Sequence, residues 1–176
     1  ERILKELKPD HRETLGRLVD TYVKAEDYAS AARTLDRLRE VTPDTEEQLK
    51  HSETLAQWYR EQLQDAVKAI ATYEGILAQW TSHVGAMVAL SELYDEVKDF
   101  EKLLKVLRAR SKAADLPHEQ AALLLEGAKA AEEKLEDGER AWGWYQEALA
   151  RDPDSGDLFD SVCEAARRLK RWDALA

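Results

Sequence analysis

Several residue types are scarce in this chain of 176 residues, and each scarcity excludes a class of structure. The single cysteine, Cys163, rules out an intrachain disulfide. This excludes a disulfide-stapled secreted fold and favours the cytoplasm, without fixing the compartment. The four prolines and seven glycines are few, so loops should be short. The sequence has no run of about 18 consecutive apolar residues, so it predicts no membrane insertion.

Positive charge is also in short supply. The chain has 26 Lys and Arg against 36 Asp and Glu, for a formal net charge of −10. A field of that sign repels phosphate backbones, so nucleic acid is not an expected partner. One local exception is a basic cluster near the end of the chain, which is either a solvated helix end or a contact for an anion or an acidic partner. Its members are Arg167, Arg168, Lys170 and Arg171.

The chain matches itself at a spacing of 72 residues. Tyr28, Phe100 and Trp172 share one phase. A fixed period of this size indicates stacked supersecondary units. It has two interpretations: tandem duplication of a pair of units, or alternate units that present different chemistry to a partner. A second set of matches interleaves with the first and consists of Leu63/Leu135, Asp65/Asp137, Ala69/Ala141, Tyr73/Tyr145 and Leu77/Leu149.

Helix-forming residues dominate, and apolar residues recur at helical spacing between punctuation points at prolines and at Thr81. Each unit should contain two helices, and Asp27 and Asp65 are predicted to cap second helices. Because both ends fall inside units, we expect the chain to be an internal piece of a longer array. The predicted repeats are 10–43, 44–80, 81–116 and 117–152, flanked by truncated repeats at 1–8 and 153–176.

These units resemble tetratricopeptide (TPR) repeats, which are helix–turn–helix units of about 34 residues. The resemblance implies an all-α fold of the α–α superhelix class, a right-handed solenoid of antiparallel helix pairs. The half-TPR repeats of RNA-processing scaffolds are the second candidate, disfavoured by the negative charge. The matching residues are Leu15, Leu18, Tyr22, Ala31, Leu35 and Pro43 in the first unit and Ala141, Tyr145, Ala148 and Pro153 in the fourth.

Nothing in the sequence points to catalysis, a cofactor or a metal, so we predict that the chain is not an enzyme. Histidines occur about once per unit, too far apart to share one zinc ion, and are expected to be exposed near helix starts. Gly75 and Gly143 lie inside predicted helices, where close helix approach would explain them. Trp144 is expected in the core, whereas Trp58 and Trp142 are candidate exposed anchors. The histidines are His11, His51, His83 and His118.

In TPR proteins the first helix of each unit lines a concave groove, so the resemblance places ten candidate partner-binding residues there. They are mostly acidic and the chain contains no asparagine, which disfavours a clamp for a C-terminal carboxylate. A peptide or helix with basic and apolar residues is the expected partner. The candidates, called the groove residues below, are Glu13, Asp20, Gln57, Arg60, Glu92, Asp95, Lys129, Glu132, Glu164 and Arg167.

The sequence therefore predicts a non-catalytic scaffold for protein–protein interaction. Two alternatives stay open. The segment could regulate or position a catalytic domain within a larger enzyme or assembly. It could also be an architectural array that self-associates through exposed terminal faces.

Overall fold

The structure is a computed structural model that describes residues 12–171. Every regular element within that range is an α-helix, and the range contains no strand. The nine helices of the described range are α1 (Arg12–Lys24), α2 (Tyr28–Val41), α3 (Thr45–Glu61), α4 (Ala66–Gln79), α5 (Val84–Glu96), α6 (Phe100–Ala113), α7 (Pro117–Lys134), α8 (Gly138–Arg151) and α9 (Gly156–Arg168).

The chain divides into two compact units, residues 1–86 and 87–176, called here the N-terminal and C-terminal units. In the N-terminal unit α1 packs on α2, α2 on α3, and α3 on α4. In the C-terminal unit α6 packs on α7, α7 on α8, and α8 on α9. Short turns between neighbours that pack together make each of these pairs antiparallel.

The helix boundaries repeat at the spacing found in the sequence. Helices α2 and α4 return as α6 and α8, with both ends of each displaced by 72 residues. The first helices alternate in length: α1, α5 and α9 have 13 residues each, whereas α3 has 17 and α7 has 18. The structural period is thus a pair of hairpins, one of which carries a first helix about one turn longer. The exact repeat boundaries remain a prediction.

One kind of turn joins the two helices of each hairpin. An aspartate ends the turn and its side chain accepts a hydrogen bond from the backbone N–H three residues later, at 3.0 Å for Asp27 and for Asp65. Both predicted caps are confirmed. Asp99 and Asp137 cap α6 and α8 in the same way. The residue before each of these aspartates has a left-handed backbone, with φ between 50° and 60° at Glu26, Gln64, Lys98 and Glu136.

The turns between hairpins use different devices. The side chain of Asp44 caps α3 and that of Ser155 caps α9. Helix α5 is preceded by His83, whose Nδ1 accepts the Ala86 N–H at 3.0 Å. Helix α7 has no side-chain cap and instead begins with Pro117, which lacks the N–H that would otherwise need a partner. These turns therefore differ in sequence although the helices they join repeat.

Apolar stripes of the paired helices fill both units. In the N-terminal unit Leu15, Leu35 and Leu55 are buried together, with Trp58 and Tyr59 packed at the edge of the cluster. In the C-terminal unit the largest fully buried side chains are Leu90, Leu93, Leu107, Leu124 and Tyr145. Each such side chain contributes about 1.5–3 kcal/mol when it leaves water.

The expectation about the two helical glycines is wrong. A Cβ atom added at Gly75 or Gly143 would meet no atom within 4 Å, because both residues face open space. The close approach occurs instead at Gly127, where an added Cβ would collide with the ring of Trp144. Trp144 is buried, as expected, and Trp142 is half-buried.

The histidines also differ from the expectation. His118 is exposed at the second position of α7, as expected, and His83 precedes α5 but is half-buried. His51 contradicts the expectation, because it lies in the middle of α3 and only 18% of its side chain is exposed. Its position on the face of α3 that is turned toward α1 and α2 explains this burial. His11 lies outside the described residues.

Candidate functional site

An open cleft of about 790 Å³ lies in the N-terminal unit, where α1 and α3 form the walls and α2 contributes the floor. Its apolar surface comes from all three helices: Val19 and Val23 on α1, Leu35 and Leu38 on α2, and Trp58 on α3. Residues four and seven apart on α1 fall on one face, which is why a single stripe of that helix lines the cleft. The cleft can accept an apolar side chain.

Gly16 lies in the wall of this cleft on α1. A Cβ atom placed there would meet nothing within 4 Å, so the missing side chain leaves open space inside the cleft. Across from it Trp58 is half-buried, and its ring is held edge-on to Tyr28 with the ring centroids 5.8 Å apart. The indole is therefore fixed in place while part of it faces the cleft.

Polar groups surround the apolar surface. At one end Arg12 pairs with Glu47, which links α1 to α3. Near this pair, His51 has a buried Nε2 that makes no hydrogen bond with any residue of the described range. Burial lowers the pKa of His51, the neighbouring Arg12 lowers it further, and Glu47 opposes the shift. His51 is therefore uncharged at neutral pH and adds no positive charge to the cleft.

The acidic side chains on α1 differ in whether they form an ion pair. Glu13 forms an ion pair with Arg17 at 2.7 Å within the helix. Asp20, which also lines the cleft, is exposed and pairs with none of the described residues. One uncompensated carboxylate thus lies beside the apolar surface.

A second cleft, of about 460 Å³, lies in the C-terminal unit between α5, α6 and α7. Most of the residues that line it are polar or charged. Arg110 donates from Nη1 to the Oγ of the buried Ser91 at 3.2 Å, and Lys134 pairs with Asp95. This cleft is smaller than the first, and some of its charged side chains pair with one another.

The two clefts occupy equivalent positions, because eight of the twelve residues that line each cleft correspond at a spacing of 72. The chemistry nevertheless differs at six of those eight positions. Gly16 and Trp58 of the first cleft become Val88 and Ala130 in the second. Apolar residues become polar in three further places: Val19 becomes Ser91, Val23 becomes Asp95, and Leu38 becomes Arg110. The duplicated hairpin pair therefore carries one apolar and one charged version of the same cleft.

Half of the groove residues line these clefts and half do not. Glu13 and Asp20 line the first, and Glu92, Asp95 and Lys129 line the second. Gln57 is exposed and donates to Glu61, Arg60 is half-buried, and Glu164 and Arg167 are exposed on α9.

Glu132 is engaged inside the C-terminal unit. It accepts hydrogen bonds from the Tyr145 hydroxyl at 2.8 Å and from Arg168 Nε at 2.9 Å, which joins α7 to α8 and α9. Arg168 lowers the pKa of Glu132, and the Tyr145 hydrogen bond adds to the effect. The basic cluster is partly occupied in the same way, because Arg171 pairs with Glu139.

The residues that sequence reasoning missed are Gly16 and Arg110. Gly16 was hidden because glycines inside helical patterns look alike in the sequence, and only their surroundings separate them. Arg110 was hidden because it occupies a position that holds a leucine, Leu38, one period earlier. Comparison of the two periods position by position would have found it.

No protein-family model and no curated protein sequence matches the chain. Solved structures do resemble it. The MamA RS-1 ArsTM double mutant is 17% identical with a TM-score of 0.55, covering 90% of this chain and 85% of that one. MamA 41-end from Desulfovibrio magneticus RS-1 is 18% identical with a TM-score of 0.53, over 90% and 85% of the two chains.

A third structure is a kinesin-light-chain-type protein of Podosopora anserina with nearly identical TPR-like repeats. It is 16% identical with a TM-score of 0.53, and the match covers 96% of this chain and 92% of that one. The chain has the TPR-like helical-repeat fold. The expected all-α, α–α superhelix class is therefore confirmed. At these identities the likeness concerns the fold alone.

Neither a metal centre nor a membrane span is found in this TPR-like chain where the structure describes it. Residues 12–171 contain no group of three or more His, Cys, Asp and Glu side chains that could hold a metal ion. No helix within those residues combines the length and the apolar character needed to cross a bilayer.

Proposed function

We propose that this chain is a non-catalytic scaffold that binds a protein partner along the exposed faces of its first helices. The TPR-like fold supports this, since helical-repeat arrays present extended surfaces for binding. The observation that carries the proposal is the pair of equivalent clefts, each open between successive first helices of its own unit. Open clefts on repeated elements suit an extended or helical segment, which uses several contacts at intervals.

The proposed partner is a peptide or helix with apolar and basic residues. Three carboxylates of the first helices, those of Asp20, Glu126 and Glu133, pair with no described residue and face or flank the clefts. Lys129 is likewise unpaired among the described residues. The net charge of −10 adds a long-range attraction for a cationic segment.

A displayed library of random peptides tests the proposal without knowledge of the natural partner. Wild-type protein should enrich a family of peptides rich in apolar and basic residues. The variant Asp20→Lys should bind those peptides about ten-fold more weakly, because it replaces a carboxylate of the proposed surface with a cation that repels a basic peptide. Asp20 pairs with no described residue, so the variant should stay folded.

The matched control is Glu40→Lys. It makes the same charge reversal at an exposed position of the second helix α2, and should leave affinity unchanged. Loss of binding in the control with retention in the first variant would assign binding to the second helices and overturn the proposal. Failure of the library to yield any peptide would also count against a peptide-binding surface.

A further inference from the structure

We propose that the cleft between α1 and α3 is a specific anchor site, which takes one aromatic or long aliphatic side chain flanked by a Lys or Arg of the partner. This inference rests on the proposed scaffold function and identifies where the main contact is made. Its argument comes from three observations in the N-terminal unit: the space at Gly16, the fixed ring of Trp58, and the carboxylate of Asp20.

The first of these observations is the open space at Gly16. Gly costs a helix about 1 kcal/mol relative to Ala, and Gly16 lies inside α1 with no atom near its missing side chain. The cleft volume of about 790 Å³ lies within the roughly 300–1,000 Å³ range that is typical of ligand-binding clefts. Absence of a side chain at this position therefore keeps the apolar surface accessible.

The indole of Trp58 gives the cleft a preference for aromatic and aliphatic groups. Aromatic rings favour edge-on and offset contacts with other rings, and Trp is enriched among residues that dominate binding energy. Contact with Tyr28 already orients the ring, so little side-chain freedom is lost when a partner binds. The equivalent position of the second unit holds Ala130, so this preference belongs to one cleft and not to the repeat in general.

The charges around the cleft favour a basic residue next to the anchor side chain of the partner. Arg12, which lines the cleft, is already matched by Glu47, and Arg17 on the same helix is matched by Glu13. Asp20 is left with no partner among the described residues. A cation next to the anchor side chain would neutralise it, whereas a second carboxylate would be repelled. The site therefore fits an apolar residue beside a basic one.

Two small molecules, followed by nuclear magnetic resonance, test separately the preference of the cleft for an aromatic ring and its preference for a positive charge. Tryptophan amide carries an indole and a positive charge, and N-acetyltryptophan carries the same ring and a negative charge. We expect tryptophan amide to shift the Gly16 amide and the Trp58 indole signals with a Kd of about 1 mM. N-acetyltryptophan should bind about five-fold more weakly, and Asp20→Asn should remove that difference.

Gly16→Leu should abolish the shifts of Trp58, because the new side chain occupies the open space at position 16 that the probe's ring would enter. The matched control is Gly75→Leu, which makes the same change at an open helical position of the same unit. The control should bind like the wild type. The inference would be overturned if each probe bound Gly16→Leu as tightly as it binds the wild type.

Other occupants of the cleft are distinguishable in the same experiment. Contacts from the cleft to residues 1–11 in the free protein, with no response to either probe, would assign it to the chain's own N-terminal residues. Shifts that depend on protein concentration alone would assign it to a second copy. If library peptides bind but ignore Gly16→Leu, this inference fails and the scaffold function stands; if no peptide binds at all, the scaffold function itself fails.

Discussion

Trp144 of α8 packs its indole against the backbone of Gly127 in α7. A Cβ atom at position 127 would lie 2.1 Å from Cζ3 of the ring, well inside any permitted contact. The Arg108 guanidinium also lies over this ring, 4.2 Å from the ring centroid. One period earlier the same two positions hold Leu55 on α3 and Thr72 on α4, so there the larger residue lies on the first helix, whereas here it lies on the second. The size of the residue at one position therefore limits the size allowed at the other.

We therefore expect Gly127→Ala to destabilise the protein by about 1–3 kcal/mol, as overpacking of a core does. The gain of up to about 1 kcal/mol from replacing a helical glycine offsets only part of this cost. Urea denaturation should show the loss. Gly143→Ala, at an open position of the neighbouring helix, should instead raise the stability by about 0.5–1 kcal/mol. Equal effects of the two changes would refute the close packing.

A second prediction concerns the left-handed residue in the turn before α6. Lys98 has a φ of 60°, where a side chain is unfavourable and glycine is not. Lys98→Gly should stabilise the protein by about 0.5–1 kcal/mol and raise its Tm. Lys105→Gly on the exposed face of α6 should lower stability by about 1 kcal/mol. A lower Tm for both variants would contradict the turn geometry.

His51 should make stability depend on pH. Its unfolded pKa is near 6.5 and its folded pKa is lower, because burial disfavours the charged ring. Between those two values the unfolded chain binds more protons, so the free energy of unfolding should fall as the pH drops below 6.5. His51→Gln should remove that part of the slope. The difference between wild type and variant should be constant above this window, and a constant difference at every pH would disprove the burial effect.

The hydrogen bonds that Glu132 accepts from Tyr145 and Arg168 should contribute measurably to the free energy of unfolding. Glu132→Gln weakens the charged hydrogen bonds to Tyr145 and Arg168, and should cost about 1.5–3 kcal/mol. The adjacent Glu133→Gln is the control, since Glu133 is exposed and pairs with no described residue. A cycle with Tyr145→Phe should give a coupling energy of about 0.5–3 kcal/mol. Additive effects in that cycle would show that the contact contributes nothing.

Local features of the fold followed from the sequence because local chemistry decides them. The caps at Asp27 and Asp65 need only a short acidic side chain before an apolar stripe, and the period of 72 is visible without coordinates. Gly16 and Gly127 were different, because each is a glycine inside a helical pattern. One faces a cleft and the other faces Trp144, and that distinction depends on which helices are neighbours in space.

The groove residues show the same limit. Asp20 and Glu132 are both acidic and both lie on first helices, so their sequence context gives them the same expected role. Only the structure shows that Glu132 is held by Tyr145 from the following helix, whereas Asp20 has no such neighbour among the described residues. A surface assigned from the repeat pattern alone therefore includes residues already committed to holding the repeats together.

The central claim is that a partner docks on the first helices. Hydrogen–deuterium exchange of the protein with and without a library-selected peptide tests it most directly. We predict added protection in α1 and α3, centred on the residues around Gly16 and Trp58, with little change in α2 and α4. Protection confined to α2 and α4, with none in α1 and α3, would contradict the account.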